Sequence, residues 1–144
     1  MKQDRHRAWR FHHPDFDAHD TTPGLAASRS GGIDMVDGAA SVRQSLLLLL
    51  STTPGERVMR PDYGCALHEL AFAPCDDTTA GLAIHLVRQA IRRFEPRVDI
   101  VDLDAARDTE AASRLLITLN YRVRPYLTRH NLRLPLELMD VEND

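Results

Sequence analysis

Arg114–Arg124 reads RLLITLNYRVR, with Leu115, Ile117, Leu119, Tyr121 and Val123 on every second position. A period of two is that of a β-strand with one face buried, because successive side chains point to opposite sides of the sheet. Immediately upstream, Arg107–Ser113 has the composition of a loop, and before it Val98–Ala105 is a second apolar-rich stretch. Its alternation slips by one residue between Ile100 and Val101, which predicts a β-bulge or burial on both faces. The two stretches and their loop predict a hairpin. Downstream, Leu132, Leu134, Leu136 and Leu138 share one face of a third strand over Leu132–Met139. Pro135 interrupts that strand with a residue that donates no hydrogen bond, which predicts a place at the sheet edge.

Further toward the N-terminus, Ala80, Ala83, Val87, Ala90, Ile91 and Phe94 recur at three- and four-residue steps, with His85, Arg88, Gln89 and Arg92 between them. This spacing predicts an amphipathic helix from about Asp77 to Phe94. Asp76 and Asp77 at its start and Arg92 and Arg93 at its end suit the helix dipole, and Pro96 stops it. A first helix is expected over Ala39–Ser51, where five consecutive leucines, Leu46–Leu50, leave no polar side and demand burial almost all round. A short strand, Gly31–Val36, and a turn at Asp37-Gly38 should precede it. Pro54-Gly55 fits a type II turn, Pro61 and Gly64 exclude a long helix before Cys65, and Leu67, Leu70 and Ala71 predict one short helical turn. Phe72 is expected to plug the core. The fold expected is α+β: two main helices packed on a small, mainly antiparallel sheet, with an extended N-terminal arm over residues 1–30 and the domain over 31–144.

The 144 residues suffice for one hydrophobic core. A net charge of -3 argues against nucleic acid as the main partner. The longest apolar run, Leu46–Leu50, is too short to cross a bilayer, and the charged N-terminus has no signal-peptide core, so assembly in the cytosol and no membrane partner are expected. Cys65 and Cys75 cannot build a disulfide scaffold and are read as two thiols, partly buried. The arm carries four of the seven histidines, His6, His12, His13 and His19, without the spacing of a preformed metal site. Trp9, Phe11 and Phe16 stand out there as anchors, either for a neighbouring protein or for the chain's own core. No metal or other cofactor is expected.

Three segments in order carry a resemblance. The first is Thr53–Cys65, TPGERVMRPDYGC; the second is Glu95-Pro96-Arg97 between helix and strand; the third is Arg114–Arg124 followed by the leucine-faced strand. Together they resemble the baseplate wedge family of contractile-tailed phages, which also occurs in type VI secretion systems and extracellular contractile injection particles. The arm, with Trp9, Phe11 and Pro14, is similar to the aromatic-and-proline lead of injection-particle members.

The resemblance implies a structural baseplate protein that binds wedge proteins through Glu95, Pro96 and Arg97. It also implies a sheath initiator, whose edge strand Leu132, Arg133, Leu134, Pro135, Leu136, Glu137 and Leu138 templates the first sheath subunits. Six copies per particle, an arm reaching tube or hub proteins, and a particle that can be released from the cell follow from the same likeness. Proline after a helix also turns the chain into an extended path, where Glu95 and Arg97 could reach separate partners or cap the helix as an internal pair. Glu56, Arg57, Arg60, Pro61, Asp62, Tyr63 and Gly64 form a loop stiffened by its prolines and glycines, divided between internal bonds and wedge contacts. Members of the family have been described as lysozyme-like, and Glu56, Glu69, Asp62 and Glu95 are the carboxylates available. None has a recognisable catalytic context, so no enzyme activity is expected. The alternatives are a type VI secretion subunit, a peptidoglycan-cleaving enzyme, and an anti-adaptor of similar fold that would have no need of the Glu-Pro-Arg corner.

Overall fold

The computed structural model describes residues 7–9, 11–12, 24–25, 35–124 and 128–139. They group into two compact units, residues 1–48 and 49–144. In the first, β1 (Arg7–Trp9) pairs antiparallel with β4 (Met35–Asp37), and β2 (Phe11–His12) with β3 (Gly24–Leu25). These ladders set the Trp9 backbone opposite Met35 and that of Phe11 opposite Leu25. Phe16 and the histidines at 6, 13 and 19 lie outside the described residues.

Helix α1 (Gly38–Ser51) starts on Gly38, whose φ of 60° is in the left-handed region that glycine tolerates. Val42, Leu46 and Leu49 are 0% exposed and Leu47 and Leu50 are buried as well, while Leu48 is half-buried. Burial around most of the helix is what a leucine run without a polar side requires.

In the second unit, α2 (Asp77–Phe94) has the predicted bounds. Asp76 caps it, accepting a hydrogen bond from the Thr79 N–H at 2.9 Å, so one of the unsatisfied first-turn donors finds a partner. Its buried face, including Ala80, Ala83, Val87, Ala90 and Ile91, packs on a three-stranded sheet. The strands are β5 (Val98–Arg107), β6 (Arg114–Val123) and β7 (Arg129–Glu137), antiparallel in the order β5-β6-β7. The register of β5 on β6 shifts between Ile100 and Asp102, so Val101 is the bulged residue, at the predicted slip. Strand β6 is central, and its alternate residues Leu115, Ile117, Leu119, Tyr121 and Val123 are each 1–2% exposed. Burial of each such side chain contributes about 1.5–3 kcal/mol. The fold class is α+β, as expected.

Phe72 does not plug the core; it is 69% exposed. A single 3₁₀ turn over Ala66–Leu70 spends its two inward places on Leu67 and Leu70. Ala71 and Ala73 then donate back to His68 and Leu70, continuing the tight winding and carrying Phe72 outward.

Candidate assembly interface

The segment joining α1 to the 3₁₀ turn is a run of tight turns. Glu56 N–H donates to the Thr53 carbonyl, Arg60 N–H to Arg57 and Tyr63 N–H to Arg60, at 3.1, 3.3 and 3.1 Å. Gly55 at φ 97° makes the first a turn with positive φ at its third residue, as Pro54-Gly55 predicts. Cys65 N–H closes the loop on the Thr52 carbonyl at 2.9 Å. That closure brings Gly64 so near that a Cβ would lie 2.5 Å from the Thr52 oxygen, at a φ of 137°. Only glycine fits there.

The loop's side chains turn back on one aromatic anchor. Tyr63 is buried and packs edge-on against Phe94 of α2 at 5.2 Å between centroids. The guanidinium of Arg57 lies 4.4 Å from the Tyr63 ring centre and that of Arg60 5.5 Å. Asp62 pairs with Arg93 of α2 at 2.5 Å. Burial pushes the Tyr63 phenol up from its ordinary range, with the nearby Arg57 opposing that shift. Tyr63, Arg57, Arg60 and Asp62 thus all have internal contacts, and Gly64 makes their close packing possible. Glu56 and Pro61 are exposed. Sequence reasoning passed over Val58 and Met59, which stand 95% and 92% exposed between the two arginines. Apolar residues in the middle of a proline- and glycine-bounded loop were the available signal.

The second feature is the corner after α2. Glu95 N–H donates to Ile91 and Val98 N–H to Glu95, so Pro96 and Arg97 occupy the centre of a four-residue turn, with proline where its fixed φ is favoured. Glu95 is 3% exposed, and the Arg97 Nε donates to its Oε1 at 2.6 Å; the arginine side chain is one-third exposed. Glu95 and Arg97 therefore bond to each other, whichever further partners either has. A cleft of about 560 Å³ opens beside the corner, lined by Arg92, Pro96, Asp99, Arg122 and Arg124 among others. Arg124 binds Asp99 through both Nε and Nη2, holding the Asp99 carboxyl below its usual range.

The third feature is β7. Leu132, Leu134 and Leu138 are 2%, 5% and 4% exposed and Leu136 is half-buried, so the leucine row faces the core. Leu138 N–H donates to the Ser113 carbonyl at 2.8 Å, and the register continues unbroken from Arg114–Glu137 to Arg122–Arg129. In an antiparallel ladder, alternate residues bond inward, so the even-numbered residues of β7 turn N–H and C=O to β6. Arg129, Asn131, Arg133, Pro135 and Glu137 turn theirs away, and no strand lies beyond β7 among the described residues. Pro135 lacks only an outward donor, so the ladder to β6 stays whole. The outward N–H of Met139 is taken by the Ala71 carbonyl at 2.6 Å. The open edge thus ends where the 3₁₀ segment meets it.

Among the described residues, no group of three or more histidines, cysteines or carboxylates could hold a metal ion, and no helix is long and apolar enough to cross a membrane. Asp62 and Glu95 are engaged by arginines, and Glu56 and Glu69 are exposed. Cys65 is buried, which pushes its thiol up to about 11; Cys75 is half-buried, and both are free.

The second unit thus combines an amphipathic helix, a three-stranded antiparallel sheet whose strand β7 has no outer neighbour among the described residues, and a loop closed by tight turns that shows Arg57, Val58, Met59 and Arg60 to the outside. The chain belongs to the family described as baseplate wedge protein gp25, whose model matches residues 36–125. It is 34% identical over 62 residues to baseplate wedge protein gp25 of Enterobacteria phage T4; that match covers 43% of this chain and 47% of the T4 protein. It is 32% identical over 98 residues to baseplate protein W of Escherichia phage P2, covering 66% of this chain and 80% of the P2 protein. Among solved structures, it is similar to a Geobacter sulfurreducens protein provisionally described as a tail lysozyme, at 40% identity and a TM-score of 0.64, over 69% of this chain and 90% of that one. The fold also matches a chain of the anti-feeding prophage baseplate at 22% identity and a TM-score of 0.60, over 94% of this chain and 88% of that one. The family is a structural component of phage and phage-like baseplates.

Proposed function

We propose that the chain is a non-catalytic adaptor that docks on wedge proteins at Glu95-Pro96-Arg97 and offers the outer edge of β7 to the first sheath subunits. One observation carries the reading: five consecutive outward positions of β7, residues 129–137, face away from their own sheet while the leucine row beneath fixes the strand in place. A foreign strand adding there gains main-chain hydrogen bonds of about 0.5–1.5 kcal/mol each without moving the core. The internal Glu95–Arg97 pair is compatible with docking, since the Arg97 side chain remains one-third exposed. The remaining proposals rest on the resemblance: six copies per particle, an arm over residues 1–30 anchored on tube or hub proteins by Trp9, Phe11 and Phe16, and assembly in the cytosol before release.

Deleting β7 would remove core leucines, so a point variant isolates the edge. Arg133→Pro removes one outward donor and no inward one; baseplates should assemble and sheath initiation should fall roughly two- to tenfold, and undiminished initiation would end the templating reading. Arg97→Ala should fold yet lose co-purification with the wedge proteins, whereas undiminished binding would leave the corner a purely internal cap. A peptidoglycan-cleaving reading is raised by the Geobacter relative's description. Incubation with purified peptidoglycan should release no fragments. Recovery in released, sheathed particles, as opposed to a membrane-anchored apparatus, separates an injection particle from a type VI baseplate.

A further inference from the structure

We infer that Val58 and Met59 form a preorganised apolar plug that inserts into a pocket with an acidic rim on another baseplate protein of the same particle. They are the central residues of the turn closed by Arg60 N–H on the Arg57 carbonyl, and both are almost wholly exposed. Turn centres favour Pro, Asn, Asp, Gly and Ser, whose rings or short side chains help the backbone bend. A β-branched valine and a methionine give that turn nothing, and their exposure forgoes burial that the folded chain could have used. Local preference is broken here without compensation among the described residues, which is the mark of a contact made elsewhere.

The surroundings say what kind of contact. Arg57 and Arg60 lie over the Tyr63 ring, Tyr63 is wedged against Phe94, Asp62 is bound to Arg93, and Gly64 is locked under Thr52. A tip braced on both sides has little freedom left to lose on binding, the property that favours hot-spot residues. Both arginines are exposed and bracket the apolar pair, so the complementary surface is an apolar hollow flanked by carboxylates. A bilayer is disfavoured: two side chains bury too little to anchor a protein of net charge -3. The inference rests on family membership and is independent of the corner and edge roles proposed above.

The test uses the full chain co-expressed with the other baseplate proteins of its own particle. V58S/M59S should keep the wild-type melting temperature, because neither side chain is in the core, and should lower affinity for those proteins at least tenfold. A photo-crosslinker at position 59 should capture one of them in assembled baseplates, at an apolar segment flanked by Asp or Glu. Wild-type affinity in V58S/M59S would overturn the inference, and if Arg97→Ala loses binding in the same assay the corner role survives it. Binding to phosphatidylglycerol vesicles that V58S/M59S abolishes would also overturn it, in favour of a membrane contact.

Discussion

The Thr52–Cys65 loop and strand β7 present opposite kinds of surface. The loop consumes its own backbone: three turns and the Cys65–Thr52 closure pair main-chain groups internally, and what it shows to the outside is side chains. Strand β7 does the reverse, hiding its leucines and leaving main-chain groups along one edge. Side chains on a fixed frame discriminate partners by shape and charge, whereas an open edge accepts any strand of suitable register. The adaptor role proposed above, docking on particular neighbours and then starting a repeating polymer, would use both. Pro135 and the Met139–Ala71 bond set limits on the permissive edge, since a foreign strand finds no donor at 135 and none at 139.

The contrast breaks most readily at Gly64. Gly64→Ala should destabilise the protein by about 3 kcal/mol or more in urea unfolding, because it forces an L-residue to positive φ and drives a Cβ into the Thr52 carbonyl. A loss under 1 kcal/mol would mean that the loop is less tightly closed than described. Next comes the parity of β7. Leu134→Pro removes an inward donor and a buried side chain and should cost about 3 kcal/mol. Arg133→Pro, one residue away, should cost about 1 kcal/mol or less while still lowering sheath initiation. Equal destabilisation by the two would refute the assignment of inward and outward positions.

The smallest effect sharpens the loop's side of the comparison. The Cys65 thiol is raised to about 11 by burial, so the folded state holds its proton longer than the unfolded chain. Its contribution is complete below the ordinary thiol range and is lost as pH climbs from about 9 toward 11. Stability should fall across that window and flatten in Cys65→Ala. At pH 8 a thiol reagent should modify Cys75 readily and Cys65 only on unfolding.

Much of the fold was legible because it rests on local rules. The period of two in Leu115–Val123, the period of 3.6 in Ala80–Phe94, the slip at Val101 and the stop at Pro96 each correspond to a single backbone geometry that neighbouring residues enforce. Phe72 was misread because one turn of 3₁₀ helix has only two inward places, and nothing in its composition says which apolar residues take them. Glu95 and Arg97 could be read as flanking a corner, but their bonding to each other depends on how tightly the turn folds. The exposure of Val58 and Met59 is likewise invisible to composition, which marks apolar residues as interior by default.

The sequence by itself determined strands β5, β6 and β7, the two helices and the proline that sends β7 to an edge, because backbone sterics and hydrophobic period act over a few residues; strands β1, β2 and β3, within the stretch read as an arm, were not legible there. Tertiary structure alone decided which side of β7 lacks a neighbour, that the proline's missing donor points outward, and that the loop turns its arginines onto Tyr63 and its apolar pair away. Those outcomes depend on pairings between segments far apart in the chain, and residue type constrains what each segment can pair with without fixing which partner it meets.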